Sequence, residues 1–161
     1  RLSLVDVSGK NLPPSYAEAT EGKPDYDATV QGVDANTNGI RDDVELAIFK
    51  EYPNSAKTRA VLLQYALALQ MEVMQTRVNT GTVTAVAEDS GRAHLCVGEI
   101  TSRKDLGKFI EITEKFYSFI ESRQLNTEAR RQAQKDFYRG NLGSYASPDE
   151  TCDLDLSALP N

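Results

Sequence analysis

Apolar side chains recur at helical spacing through most of the chain. In five segments they fall every three or four residues, which places them on one face of an α-helix. In chain order the inward-facing positions are Val44, Ala47, Ile48 and Tyr52; Val61, Leu62, Tyr65, Ala66, Leu69, Val73 and Met74; Ala93, Cys96, Val97 and Ile100; Leu106, Phe109, Ile110, Thr113, Phe116, Tyr117 and Ile120; and Ala129, Ala133, Phe137 and Leu142. The sequence therefore predicts an all-α fold, a bundle of four or five helices.

Residues that start or stop helices set the boundaries of these segments. The first helix begins at Asp42 and stops before Pro53, because proline lacks the backbone N–H that a helix needs. Ser55 is placed to cap the second helix. Residues 79–84 are predicted to form a connection, because they combine Gly81 with β-branched threonines. The third helix follows after Ser90.

The last predicted helix runs from a cap at Asn126 or Thr127 through Arg139, and Gly140 and Gly143 end it. This helix carries the chain's best candidate for a basic patch, which consists of Arg130, Arg131, Lys135 and Arg139. Acidic residues are interleaved with them, which predicts a solvated helix face. The net charge of -6 also argues against a nucleic-acid partner.

One polar segment, residues 34–45, has the spacing of a calcium-binding loop. Calcium takes six to eight oxygen ligands, and a twelve-residue loop supplies them at alternate positions because the chain curls around the ion. Gly39 stands at the sixth position, where the chain must turn sharply. The predicted ligands are Asp34, Asn36, Asn38, Ile40 through its backbone carbonyl, Asp42 and Glu45. The alternative is a metal-free Asn/Gly turn before a helix with acidic residues in its first turn.

These twelve residues resemble an EF-hand-type calcium loop, in particular the D-x-N-x-N-G-I-x-D-x-x-E loops of exported bacterial calcium-binding proteins. The rest of the chain resembles no family. Residues 22–33 do not have the pattern of an incoming helix, Arg41 occupies the eighth position where paired EF-hands carry an apolar residue, and the chain has no second such loop. A single loop of this kind resembles a structural clamp and not a calcium sensor.

Charge count sets the expected affinity of the loop. Asn36 and Asn38 replace carboxylates, which leaves three acids near the ion, and Arg41 partly offsets their charge. The sequence therefore predicts weak to moderate binding, at the dissociation constants of about 10⁻⁴ to 10⁻³ M that are typical of extracellular modules.

The 161 residues match the size of one ordinary domain. The predicted organisation is a single domain over 1–161, with an extended arm at 1–33, the calcium loop at 34–45, a helical body at 42–143 and a tail at 144–161. The arm is predicted to be irregular because it contains three prolines and three glycines without a sustained apolar period. No stretch approaches the roughly 20 apolar residues that a membrane-spanning helix requires.

Cys96 and Cys152 are the only cysteines, and their separation suits one disulfide that pins the tail to the body. The alternative is a buried thiol at Cys96 and an incidental one at Cys152. A disulfide and a weak calcium site both suit export, to the periplasm, the cell surface or the medium. The chain begins at Arg1, so we expect that an upstream piece, for instance a signal peptide, has been removed.

Catalytic motifs are not evident in the sequence. His94 is the only histidine, and Cys96 two residues later points to a different side of a helix. The sequence therefore favours a binding or structural module in which calcium has a structural role. The alternative is a small secreted hydrolase with a structural calcium. A protein partner that binds the ordered arm is a further hypothesis.

Overall fold

The protein folds as a helical bundle. The structure, a computed structural model, describes residues 1–16, 21–74, 79–139 and 148–161. No β-strand occurs in these ranges, so the predicted all-α fold is confirmed. The helices within them are α1 (Leu4–Ser8), α2 (Asp42–Glu51), α3 (Ala56–Met74), α4 (Thr80–Gly98), α5 (Leu106–Gln124), α6 (Glu128–Tyr138) and a 3₁₀ turn (Leu156–Ala158).

Helix α3 is the centre of the bundle and contacts each of the other five α-helices. Most of its residues are buried, polar ones included, because neighbours surround it on nearly every side. Six of the seven predicted core positions in α3 are buried, whereas Met74 at its end is exposed. Leu106 and Ile110 in α5 are exposed as well, and so is Ala129 in α6. A helical pattern identifies a face, but it does not show how far neighbouring helices cover that face.

Helix α4 begins earlier than the sequence pattern predicts. The expected connection at residues 79–84 is wrong, because α4 starts at Thr80 and the side chain of Asn79 caps it by accepting a hydrogen bond from Thr82 N at 2.9 Å. Val83 and Val86 are buried in a small cluster with Phe137 of α6. This cap and this packing outweigh the low helix propensity of glycine and threonine.

The predicted extended arm is partly helical. Helix α1 starts with a capping box between Ser3 and Asp6 and ends at Gly9, whose φ of 78° lies in the left-handed region that glycine adopts without strain. Val7 is buried in the main core, and its carbonyl accepts a hydrogen bond from the Arg59 side chain. One and a half turns are too short to give a recognisable apolar period.

The second part of the arm is held against α6 by a fully buried arginine, Arg130. Its five N–H groups all donate hydrogen bonds, to the backbone carbonyls of Tyr26, Thr29 and Val30 and to the side chains of Asp27 and Asn126. The prediction of a solvated basic face is therefore wrong for Arg130. It is confirmed for Arg131, Lys135 and Arg139, which are exposed.

The C-terminal tail is fastened to the body, as predicted. The sulfur atoms of Cys96 in α4 and Cys152 lie 2.06 Å apart, at disulfide-bond distance. Beside them, the Gln64 amide donates to Thr151 O at 2.9 Å and accepts from Asp153 N at 2.8 Å. Leu142, Gly140 and Gly143, predicted as one inward-facing position and two helix ends, lie outside the described residues. In the described chain, no helix is both long and apolar enough to cross a lipid bilayer.

Arg130→Ala is predicted to lower the free energy of unfolding by about 3 kcal/mol, because it removes the donor to the carbonyls of Tyr26 and Val30 and the cationic partner of Asp27. The matched control is Arg131→Ala, which removes an exposed arginine from the next position and is expected to cost about 0.5 kcal/mol or less. Urea unfolding of the two variants measures the difference. Equal costs would show that the arm does not depend on Arg130.

Candidate metal centre

The backbone of the loop turns sharply between Asp34 and α2. Thr37 has a φ of 56° and Gly39 a φ of 86°, both in the left-handed region. The carboxylate of Asp34 accepts hydrogen bonds from Asn38 N at 3.2 Å and from Gly39 N at 2.9 Å. A Cβ at position 39 would lie 2.8 Å from Leu67 Cδ1 of α3. The positive φ therefore favours glycine here, and a larger residue would also have to displace the end of the Leu67 side chain.

The far end of the loop closes onto the first residue of α2. Asp42 N donates to Val33 O at 2.8 Å, and the Asp42 carboxylate accepts from Ala35 N with both oxygens at 3.1 Å. Asp42 is buried, and this burial, with the nearby charges of Asp34 and Asp43, raises the pKa of its carboxyl group. The loop thus encloses a region of concentrated negative charge.

Glu45 lies in the first turn of α2, and its side chain is fully buried. One carboxylate oxygen accepts from Asn36 Nδ2 and the other from Asn38 Nδ2, each at 3.0 Å. Burial raises the pKa of Glu45 to about 7, although these two hydrogen bonds oppose the rise. Among the described ion pairs, none neutralises Glu45. A buried carboxylate without a cationic partner is costly unless it binds a proton or a cation.

The side-chain amide of Asn36 has hydrogen-bond partners for its nitrogen but none for its oxygen. Its nitrogen donates to Glu45 and to Asn11 O, the latter at 2.6 Å, but its Oδ1 is buried and accepts no hydrogen bond. A buried acceptor without a partner costs about 1 to 3 kcal/mol. A cation bound beside Glu45 would supply a partner to this oxygen when the amide faces it. The residues at the site therefore fit an oxygen-ligated cation such as calcium.

Of the six predicted ligands, Asn36 and Asn38 each contact Glu45 through their side chains, and Asn38 Oδ1 accepts a hydrogen bond from Ile40 N at 2.9 Å. Asp34 and Asp42 hold the ends of the loop through backbone N–H groups, and an ionised carboxylate keeps further lone pairs beyond those bonds. Within the residues the structure describes, no three His, Cys, Asp or Glu side chains gather in a metal-binding cluster. Any cation here therefore depends on the asparagine oxygens as much as on the acids.

The sequence did not reveal the role of Arg41, whose side chain is fully buried. Its guanidinium pairs with Asp43 at 2.6 Å and donates to the carbonyls of Arg123 at 2.8 Å and Gln124 at 3.3 Å. These carbonyls end α5, where a cation is favoured by the helix dipole and the unpaired C=O groups. Arg41 thus links the loop to α5, and its charge is already paired with Asp43.

The chain before the loop contains turns and no helix over residues 21–33, as the sequence predicts. The loop therefore has an exiting helix, α2, without an incoming one. Comparison of the chain with protein-family models, curated proteins and solved structures found no match. The case for a metal site consequently depends on the contacts within this molecule.

His94 has a structural environment unrelated to the loop. It is exposed on α4 and stacks on Tyr117 of α5, with ring centroids 4.1 Å apart and an interplanar angle of 4°. Cys96 is paired with Cys152 and has no free thiol. A Cys–His nucleophilic pair is therefore excluded at this position.

Calcium binding is predicted to depend on pH through Glu45. Because the pKa of Glu45 in the fold is raised above that of the unfolded chain, a proton and calcium compete for the folded carboxylate. The association constant should be constant above pH 8 and fall below pH 7, approaching about tenfold per pH unit. Titration calorimetry between pH 5.5 and 8 measures this dependence, and an affinity that is the same throughout that range would contradict it.

The same raised pKa predicts the opposite trend for the calcium-free protein. In chelator, the folded state holds the Glu45 proton more tightly than the unfolded state does, so stability from this group is present at acid pH and is lost as the pH rises to about 7. Glu45→Gln should remove this component of the pH dependence, as measured by urea unfolding in chelator. An unchanged profile in the variant would show that Glu45 does not titrate in this range.

Proposed function

We propose that the protein is an exported calcium-binding helical module in which calcium has a structural role. The proposed ligands are Asp34, Asn36, Asn38, the carbonyl of Ile40, Asp42 and Glu45. The observation that carries the proposal is the arrangement around the buried Glu45 carboxylate. Its only described hydrogen-bond donors are two asparagine amides, and one of those amides leaves a buried oxygen unpaired.

The chemistry of these groups favours calcium over other biological metals. All the candidate donors are oxygens, which hard cations prefer, whereas zinc and copper sites use histidine and cysteine. Magnesium demands near-ideal octahedral geometry and keeps several waters. Calcium accepts six to eight oxygens in flexible geometry, including amide and backbone carbonyl oxygens. A loop of mixed acids and amides that starts at Asp34 and ends at Glu45 matches this preference.

A structural role is supported by the parts of the molecule that meet at the loop. Gly39 packs against α3, Arg41 is fixed to the end of α5, and Glu45 belongs to α2. A cation bound between the loop and Glu45 would join these elements and hold the arm at the start of α2. A sensor would need a second helix free to reorient, and residues 21–33 supply no helix.

Two features of the described residues are compatible with export. The cysteines lie at disulfide distance, and no helix in the described ranges is suited to span a membrane. Disulfides persist in oxidising compartments outside the cytosol. Extracellular calcium is plentiful, so a weak site would be filled there and would stabilise the fold by about 1.4 kcal/mol at ten times the dissociation constant.

Calcium is predicted to raise the melting temperature of the protein. At ten times the dissociation constant, the shift should be about 3 to 5 °C for a domain of this size, and chelator should reverse it. Glu45→Gln should abolish the shift because it removes the buried carboxylate. Glu51→Gln, an exposed glutamate at the end of the same helix, is the matched control and should keep it. If the two variants respond alike, Glu45 is not a ligand.

Asn36→Asp is predicted to have opposite effects on the two forms of the protein. The added carboxylate should strengthen calcium binding by about tenfold, because affinity in such loops rises with ligand charge. In chelator the same variant should melt at a lower temperature, because it loses the donor to Glu45 and places two carboxylates together. Asn161→Asp adds the same charge at an exposed position and should change neither quantity. A lower affinity in Asn36→Asp would contradict the proposed role of Asn36.

A further inference from the structure

The N-terminal segment lies beside the proposed calcium site. Asp6 of α1 is buried, and its charge is close enough to contribute to the raised pKa of Glu45. A Cβ at Gly9 would lie 3.0 Å from Phe49 Cε1 of α2. The chain from α1 onward therefore runs along α2 and reaches the loop at Asn11.

At that point, two oxygens from distant parts of the chain converge on one nitrogen. Asn36 Nδ2 donates to Asn11 O at 2.6 Å and to Glu45 Oε2 at 3.0 Å. The Asn11 carbonyl belongs to no calcium-loop position, because it lies 23 residues before the loop begins. Both oxygens therefore lie within hydrogen-bond distance of the same side-chain amide.

We propose that the carbonyl oxygen of Asn11 is a calcium ligand from outside the loop; this inference rests on the proposed function. A half-turn of the Asn36 amide about its last side-chain bond exchanges its nitrogen and its oxygen. Asn36 Oδ1 then faces Glu45 Oε2 and Asn11 O, and a cation bound among the three oxygens would offset their mutual repulsion. Backbone carbonyls are ordinary ligands of calcium, and a neutral one adds to the coordination without adding charge.

Through this additional ligand, calcium would stabilise the attachment of the N-terminal segment to the loop. Elsewhere this segment is held by Leu2 and Val7, which are buried in the main core, and by hydrogen bonds from Leu2 N to Asp153 Oδ2 at 2.9 Å and from Arg59 Nε to Val7 O at 3.1 Å. Leu4 and Val5 on the outer face of α1 are exposed and contribute little burial. Calcium bound through Asn11 O would fix the end of a segment only 11 residues long that otherwise depends on two core side chains and two hydrogen bonds, so its removal should favour local opening of that segment.

Triple-resonance NMR of the ¹³C,¹⁵N-labelled full chain tests the ligand directly. The carbonyl carbons of Asn11 and Ile40 are observed through the amides of Leu12 and Arg41, and the Lys10 carbonyl serves as a neighbouring control. On calcium titration, the Asn11 and Ile40 carbonyl resonances should shift with the same midpoint concentration, and each should shift more than that of Lys10. Both shifts should be absent in Glu45→Gln.

The outcomes separate this inference from the proposed function. If the Ile40 carbonyl titrates while that of Asn11 moves no more than that of Lys10, the loop binds calcium without Asn11 and the inference is wrong. If neither carbonyl titrates, the calcium proposal fails together with it. A second readout is hydrogen exchange at the amides of α1, which should slow at least tenfold on addition of calcium. Equal exchange rates with calcium and with chelator would overturn the stabilisation of the N-terminal segment.

Discussion

A carboxylate removed from water must bind a proton or be neutralised by a cation, and this constraint governs the region around Glu45. The side chain is fully buried at the start of α2, and the donors that reach it are the neutral amides of Asn36 and Asn38. Hydrogen bonds from amides do not supply a full positive charge. Helix α2, the loop and the chain at Asn11 all meet at this group, because Glu45 belongs to α2 and the Asn36 amide that donates to it also donates to Asn11 O.

Hydrogen bonds hold the arm before the loop at two places. Arg130 fixes its middle by donating to three backbone carbonyls, and the hydrogen bond from Asp42 N to Val33 O fixes its end. Arg41 then ties the loop to α5. These contacts need no metal. Calcium at Glu45 would add a further contact between the loop, α2 and the N-terminal segment at Asn11.

The sequence predicts those features that local chemistry determines. Helices with a clear apolar period and the tight turn at Gly39 are found where they were expected, because periodicity and φ requirements are local. The early start of α4 and the short α1 were missed, since capping and packing there outweigh weak helix propensity. The roles of Arg130 and Arg41 were missed because both side chains bind carbonyls far away in sequence. The predicted ligands could be chosen from the sequence because calcium prefers oxygen donors at regular spacing, whereas the contact of Asn11 with Asn36 exists only once the chain has folded.

Diffraction from crystals grown with calcium, recorded at a wavelength where calcium scatters anomalously, would show whether the loop binds calcium. We expect one anomalous peak per chain inside the loop, with six to eight oxygens at about 2.3 to 2.6 Å that include both carboxylate oxygens of Glu45. Crystals grown in chelator should lack this peak. A loop without an anomalous peak at millimolar calcium, with the Asn36 and Asn38 amides still donating to Glu45, would contradict the account.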